Sequence, residues 1–132
     1  IEAWRQTDGP ANLRAPVELN AALPGWHQTH GPADMILLVN LLHLISDAKA
    51  EAVLSGITQA LTPGGTAFLY GPFLRDGQTT SDGDAAFDAS LRAQDPAIGY
   101  KDIAWVRDRL SPLPVTITDM PSNNLMVLVS AT

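Results

Sequence analysis

The amino-acid sequence predicts an α/β domain built on a mostly parallel sheet, and three observations carry that expectation. The run from Ala33 to Asn40 is apolar apart from Asp34 and its polar end. Such runs suit a strand buried on both faces, the habit of parallel sheets. Next, Ala50, Val53, Leu54, Ile57 and Leu61 recur on one face of a 3.6-residue period, which predicts a helix over Ser46–Leu61. Finally, Thr62-Pro63-Gly64-Gly65 stops that helix, and Thr66 to Tyr70 reads as a second strand closed by Gly71-Pro72. Strand, helix, Gly-rich turn and strand form a βαβ unit, whose crossover is right-handed and whose strands are parallel.

The remaining elements follow from the same rules. Ile1 and Trp4 have helical spacing before Asp8-Gly9-Pro10 stops the segment. Pro16 to Leu19 reads as a short strand, and Ala22 to Pro32, with two prolines, two glycines and two histidines, reads as loop. Ser46 or Asp47 can cap the long helix. Arg75 to Thr80 is polar loop. Ser81 to Gln94 reads as a helix with Phe87 and Leu91 on its apolar face, and Ser81 with Asp84 resembles a capping box. Asp102 to Leu110 is a further helix, with Ile103, Val106 and Leu110 on one side. Pro114 to Thr118 and Leu125 to Ser130 are β-rich and suggest an antiparallel pair with a long connection.

Composition narrows the function classes. The chain has 132 residues, 45 % hydrophobic and 17 % charged, which is a globular balance within the range of one domain. Its net charge of −6, without a basic cluster, argues against phosphate-led nucleic-acid binding. It has no cysteine, so neither a disulfide framework nor a thiolate metal site is expected. His27 and His30 lack an acidic partner at ligand spacing and read as loop residues rather than metal ligands. The longest apolar run is too short to span a membrane, and no signal-peptide pattern is present. A cytoplasmic protein is the default expectation.

Several segments carry a family resemblance. Asn40-Leu41-Leu42-His43-Leu44-Ile45, Leu61-Thr62-Pro63-Gly64-Gly65 and Tyr70-Gly71-Pro72-Phe73 are similar to segments of the methyltransferase-like protein 26 family. So are Ile1-Glu2-Ala3-Trp4, Thr80-Ser81, Phe87-Asp88, Leu91-Arg92, Asp95-Pro96 and Met120-Pro121-Ser122-Asn123-Asn124-Leu125. The Pro-Gly-Gly turn is common to most class I methyltransferases; the Tyr-Gly-Pro-Phe and Met-Pro-Ser-Asn-Asn-Leu segments together are far more specific. The resemblance implies a Rossmann-like class I methyltransferase sheet in the order 3-2-1-4-5-7-6, with the last strand antiparallel and S-adenosylmethionine as cofactor. On that plan Val17 lies in the third strand, Ile36 in the fourth, Phe68 in the fifth, Val115 in the sixth and Val127 in the seventh. Strands 1 and 2 have no counterpart here, and with them go the Gly-rich turn and the acidic residue that grip the cofactor. The third strand then lacks a neighbour, and each unpaired buried backbone group costs about 1–3 kcal/mol. The chain therefore reads as one incomplete domain, a piece of a longer protein or one completed by a second chain.

The resemblance and the sheet plan also place candidate site residues. Open α/β sheets bind ligands at the carboxyl ends of their strands. Asn40 leaves the fourth strand there, and its amide offers donor and acceptor to cofactor or acceptor; a turn cap is the alternative. Asn20 follows the third strand, where an acidic residue often meets the adenine amine, and its carbonyl can still accept. His43 suits a base or substrate contact by its ordinary pKa, although flanking Leu42 and Leu44 favour a packed histidine. Tyr70 and Phe73 follow the fifth strand and would approach the methyl acceptor, Phe73 by stacking. Asn123 and Asn124, in the connection between the last two strands, suit either a polar acceptor or a turn.

The leading expectation is methyl transfer to an unidentified small-molecule or protein acceptor. Such catalysis rests on proximity and alignment. A non-catalytic interaction protein with the same fold is the alternative, and a homo-oligomer fits either. A nicotinamide oxidoreductase is disfavoured because Tyr100 and Lys101 are adjacent rather than four apart, and a hydrolase because no Gly-x-Ser-x-Gly elbow is present.

Overall fold

Four strands define the architecture: β1 (Ala33–Val39), β2 (Leu61–Pro72), β3 (Val115–Asp119) and β4 (Asn124–Ser130). A computed structural model describes residues 1–132. The strands form one sheet in the order β1-β2-β4-β3. β1 and β2 are parallel, with Leu37 opposite Phe68, while β4 runs antiparallel to both β2 and β3. This is the 4-5-7-6 half of the expected order, with the last strand reversed as expected.

Five helices accompany the sheet: α1 (Glu2–Thr7), α2 (Trp26–His30), α3 (Asp47–Ala60), α4 (Asp82–Gln94) and α5 (Ile103–Leu110). α3 is the crossover between the parallel strands. Ser46 Oγ accepts the Lys49 N–H at 3.3 Å and caps it. Its Ala50, Val53, Leu54 and Ile57 are buried against Ala67, Leu69, Val127 and Val129 of the sheet and Val106 and Leu110 of α5. The helix gives way to β2 at Leu61, earlier than the Pro-Gly-Gly turn suggested. The β1–β2 register shifts between Ala33 and Met35, and this irregularity absorbs Thr62 to Gly65. Gly64 sits there at φ 80°, a conformation that favours glycine. Thr62 Oγ1 pins the bulge by donating to Asp34 Oδ1 at 2.7 Å.

Three sequence expectations are corrected. Pro16 to Leu19 is not a strand: no backbone ladder reaches it, and Val17 is 65 % exposed. A β-prone tetrapeptide without a neighbouring strand has no partner for its N–H and C=O groups and stays irregular. Within the expected loop from Ala22 to Pro32, Trp26 to His30 form α2, because the Trp26 indole packs onto α3 at Gly56, where a Cβ would collide with it. Trp26 Nε1 donates to the Ala21 carbonyl at 3.1 Å. Lastly, β1 is buried on one face only. Met35, Leu37 and Val39 are 66 %, 61 % and 50 % exposed, and β1 pairs with β2 alone, so it is the sheet edge.

Candidate active site

The site grows from the carboxyl ends of β1 and β2. Asn40 follows β1 directly, and its N–H donates to the Tyr70 carbonyl at 2.9 Å, extending the ladder one residue further. There the backbone turns sharply, with Asn40 at φ 54°. Asparagine tolerates this left-handed conformation better than most residues. The chain then makes a short 3-10 turn over Leu42–Leu44 that buries Leu42 and His43 and exposes Leu44.

This turn forms one wall of an open cleft of about 430 Å³ lined by Asn40, His43, Leu44, Tyr70, Pro72, Asp84, Phe87, Tyr100 and Asn124. Four of the expected site residues, Asn40, His43, Tyr70 and Asn124, therefore meet in one place. Asn124 Nδ2 donates to the Pro121 carbonyl at 3.0 Å, which leaves its side-chain oxygen for other partners.

Three aromatic rings make the floor. The His43, Phe87 and Tyr100 centroids lie 5.9, 5.9 and 6.0 Å apart in edge-to-face pairs, a favoured ring geometry. Burial, and then the nearby Lys101 charge, lower the His43 pKa below 6.5, so its neutral form is favoured. No protein group hydrogen-bonds its ring nitrogens, and neither is sealed from solvent. Lys101 braces the turn from behind: its buried Nζ donates to the carbonyls of Ile45 at 2.7 Å and Gly99 at 3.0 Å and pairs with Asp47 at 3.3 Å. Burial lowers the Lys101 pKa, opposed by Asp47.

Tyr100 Oη donates to Asp84 Oδ1 at 3.0 Å. The other carboxylate oxygen accepts the Thr80 and Ser81 hydroxyls, each at 3.1 Å. Ser81 Oγ in turn accepts the Asp84 N–H at 3.1 Å, completing the capping box of α4. Burial raises the Asp84 pKa, but hydrogen bonds from Tyr100, Thr80, Ser81 and Asn123 outweigh it and hold the carboxyl below its ordinary value. For Tyr100, burial and then the Asp84 carboxylate push the phenol well above its usual range.

The other expected residues lie elsewhere. Phe73 is 3 % exposed and belongs to the hydrophobic core, so it does not stack in the cleft. The cause is strand alternation: Leu69, Gly71 and Phe73 all turn inward, while Tyr70 and Pro72 turn toward the cleft. Asn123 sits at φ 60° in the turn before β4 and does not line the cleft. Asn20 lies across the 3-10 turn in a second depression of about 330 Å³, with Glu18, Ala21, Leu41 and Ile45 among its walls. Its Oδ1 accepts the Ala22 N–H at 3.1 Å, so that carbonyl closes a local turn. In the sequence, Asp84 reads as a helix cap, Phe87 as part of an apolar helix face, and Tyr100 stands out only for its spacing to Lys101; none of them is placed in the site. The available signal was the i, i+3 spacing of Asp84 and Phe87, which shares one helix face.

The family model described as "Protein of unknown function (DUF938)" matches residues 1–130. The chain belongs to that family. Solved structures show where the DUF938 chain stands among known folds. TnmH superposes with a TM-score of 0.72 at 22 % identity, over 99 % of this chain and 38 % of its own. An O-methyltransferase family protein from Burkholderia thailandensis gives 0.69 at 16 % identity, over 80 % and 33 %. Human N-acetylserotonin methyltransferase, solved in complex with SAM, gives 0.60 at 15 % identity, over 76 % and 30 %. The sheet of this DUF938 chain is thus that of the methyltransferase fold, and the chain spans about a third of the length of these structures. No helix in it is long and apolar enough to cross a membrane.

Proposed function

We propose that this chain is the acceptor-side part of an S-adenosylmethionine-dependent methyltransferase, kin to the methyltransferase-like protein 26 family, and that it acts on a small molecule held in the cleft. The observation that carries the reading is the position of that cleft: it opens at Asn40 and Tyr70, where the parallel strands β1 and β2 end, the edge at which such sheets bind ligands. The methyltransferase structures of the same fold, one of them a complex with SAM, support the choice of cofactor.

The residues present fit part of that cofactor. The second depression has apolar walls from Ala21, Ala22, Leu41 and Ile45 and a polar rim from Glu18 and Asn20. That chemistry suits a flat ring with polar edges such as adenine. Asn40 stands between the two depressions with a side chain free of hydrogen bonds inside the protein, and would hold a polar group of cofactor or acceptor. The remaining grip belongs to two further strands, the first of which would pair along the free edge of β1 and the second beyond it, with their connecting helices over Met35, Leu37 and Val39. On this reading the 132 residues are one portion of a longer chain.

When bound, the cofactor supplies an electrophilic methyl group. The protein's own part is positioning and proton handling. The aromatic floor and Asn124 orient the acceptor, and close packing of reactants accounts for most of the rate gain in such transfers. An acceptor hydroxyl loses its proton as it gains a methyl group, and His43, neutral and with unpartnered ring nitrogens, receives that proton. Titration of the longer protein, in which these residues follow strands 1 and 2, with S-adenosylmethionine, and methylated product as a second readout, tests the reading.

A further inference from the structure

The cleft carries a carboxylate that hydrogen bonds and the start of α4 steady but that no basic side chain pairs with. Asp84 lies on its wall as an ionised carboxylate, and the side chains that bond it are neutral: the hydroxyls of Tyr100, Thr80 and Ser81. No Lys, Arg or His comes within ion-pair distance of it, although Asp88, one turn along α4, is paired with Arg92 at 3.1 Å. No basic side chain lines the cleft other than His43, whose neutral form is favoured. The nearest buried cation, Lys101, is committed to Asp47 and two carbonyls on the far side of the His43 turn.

The walls around this charge are ring faces and edges. Phe87 is 44 % exposed and presents much of its ring to the cleft, one helical turn beyond Asp84. Tyr70 faces it from the sheet, and the Tyr100 ring closes the floor. The capping box accounts for Ser81 and Asp84 Oδ2 as helix-terminal chemistry. It accounts neither for Oδ1, which is turned to Tyr100, nor for an aromatic enclosure around a helix cap. A carboxylate beside several aromatic rings favours a cation: the charge attracts it, and the ring quadrupoles replace part of its hydration.

We propose that the acceptor bound in this cleft is a small molecule bearing a protonated amine, whose ammonium group lies between the Asp84 carboxylate and the rings of Phe87 and Tyr70. The proposal rests on the reading of the cleft as the acceptor site and adds the charge class of the acceptor. It requires no proton transfer from the ammonium group, which serves for recognition; the methylated atom is a different one.

Three probes of one shape test it: phenethylammonium, phenethyl alcohol and phenylacetate, each titrated into the protein at pH 7 with and without S-adenosylmethionine. The expected order is ammonium over alcohol by about tenfold, with phenylacetate weakest, and Asp84→Asn should erase the gap between ammonium and alcohol. Equal binding of ammonium and alcohol, tighter binding of phenylacetate, or an undiminished ammonium preference in a folded Asp84→Asn protein would overturn it. Should Asp84→Asn fail to fold, Phe87→Leu changes an exposed ring and leaves the carboxylate in place. It should reduce the ammonium preference about threefold, and an unchanged preference there would also overturn the proposal. An ammonium preference in a longer protein that carries strands 1 and 2 yet binds no S-adenosylmethionine would uphold the charge class and remove the cofactor reading, so the two failures are distinguishable.

Discussion

Replacing Asn40 by alanine and, separately, by glycine resolves what this residue does. Its backbone sits at φ 54°, where an L-residue with a Cβ is strained by about 1–2 kcal/mol and asparagine by less. Alanine should therefore destabilise the fold by about 1 kcal/mol, which in a domain of this size lowers the melting temperature by roughly 3–5 °C. Glycine adopts positive φ freely, so Asn40→Gly should stay within about 0.5 kcal/mol of wild type. Both substitutions remove the side chain that lines the cleft. If that amide makes one or two hydrogen bonds to a bound ligand, each variant loses about 1–3 kcal/mol of binding, tenfold or more in affinity. Thermal unfolding followed by circular dichroism, and calorimetric titration with S-adenosylmethionine of the longer protein that carries strands 1 and 2, read the two effects separately. Unchanged affinity in both variants would remove Asn40 from the site. Equal stability of the alanine and glycine variants would refute the backbone argument.

Other substitutions and conditions probe the rest. Leu69→Ala and Leu37→Ala change the same residue type on opposite faces of the sheet, at 1 % and 61 % exposure; in the 132-residue chain, denaturant unfolding should show a loss of about 3 kcal/mol for the first and under 1 kcal/mol for the second. Comparable losses would mean that the open face of β1 is covered. The His43 pKa is lowered from 6.5 by burial and Lys101. Between the two values the unfolded chain therefore holds more protons, and the contribution of His43 to stability is complete above 6.5 and lost as pH falls through the folded value. Denaturant titrations from pH 8 to pH 5 should show that decline, and His43→Gln should flatten it. A wild-type profile as flat as the variant's would refute the assignment.

Much of the fold was legible because its signals are local. The βαβ unit follows from one apolar run, one 3.6-residue period and one Gly-rich turn, and the caps Ser46 and Ser81 lie where their spacing placed them. What was not legible depends on distant partners. Pro16 to Leu19 has strand composition but no strand beside it, and Trp26 nucleates α2 through contact with Gly56, a residue thirty positions away in the sequence. The site divides in the same way. Asn40, His43 and Tyr70 could be placed because strand ends locate them. Phe73 was misplaced because one step along an alternating strand reverses a side chain, and Asp84 and Tyr100 were not assigned to the site because their meeting spans sixteen residues and a change of direction after α4.

Cofactor binding is tested most directly by one titration: S-adenosylmethionine added to these 132 residues and, in parallel, to a protein in which they follow the two cofactor-gripping strands the methyltransferase plan requires. The longer protein should bind the cofactor at micromolar concentration or tighter and yield to Asn40→Gly, while the 132 residues alone should show no measurable binding. Micromolar binding by the short chain would place the cofactor elsewhere, and its absence from the longer protein would contradict a methyltransferase role.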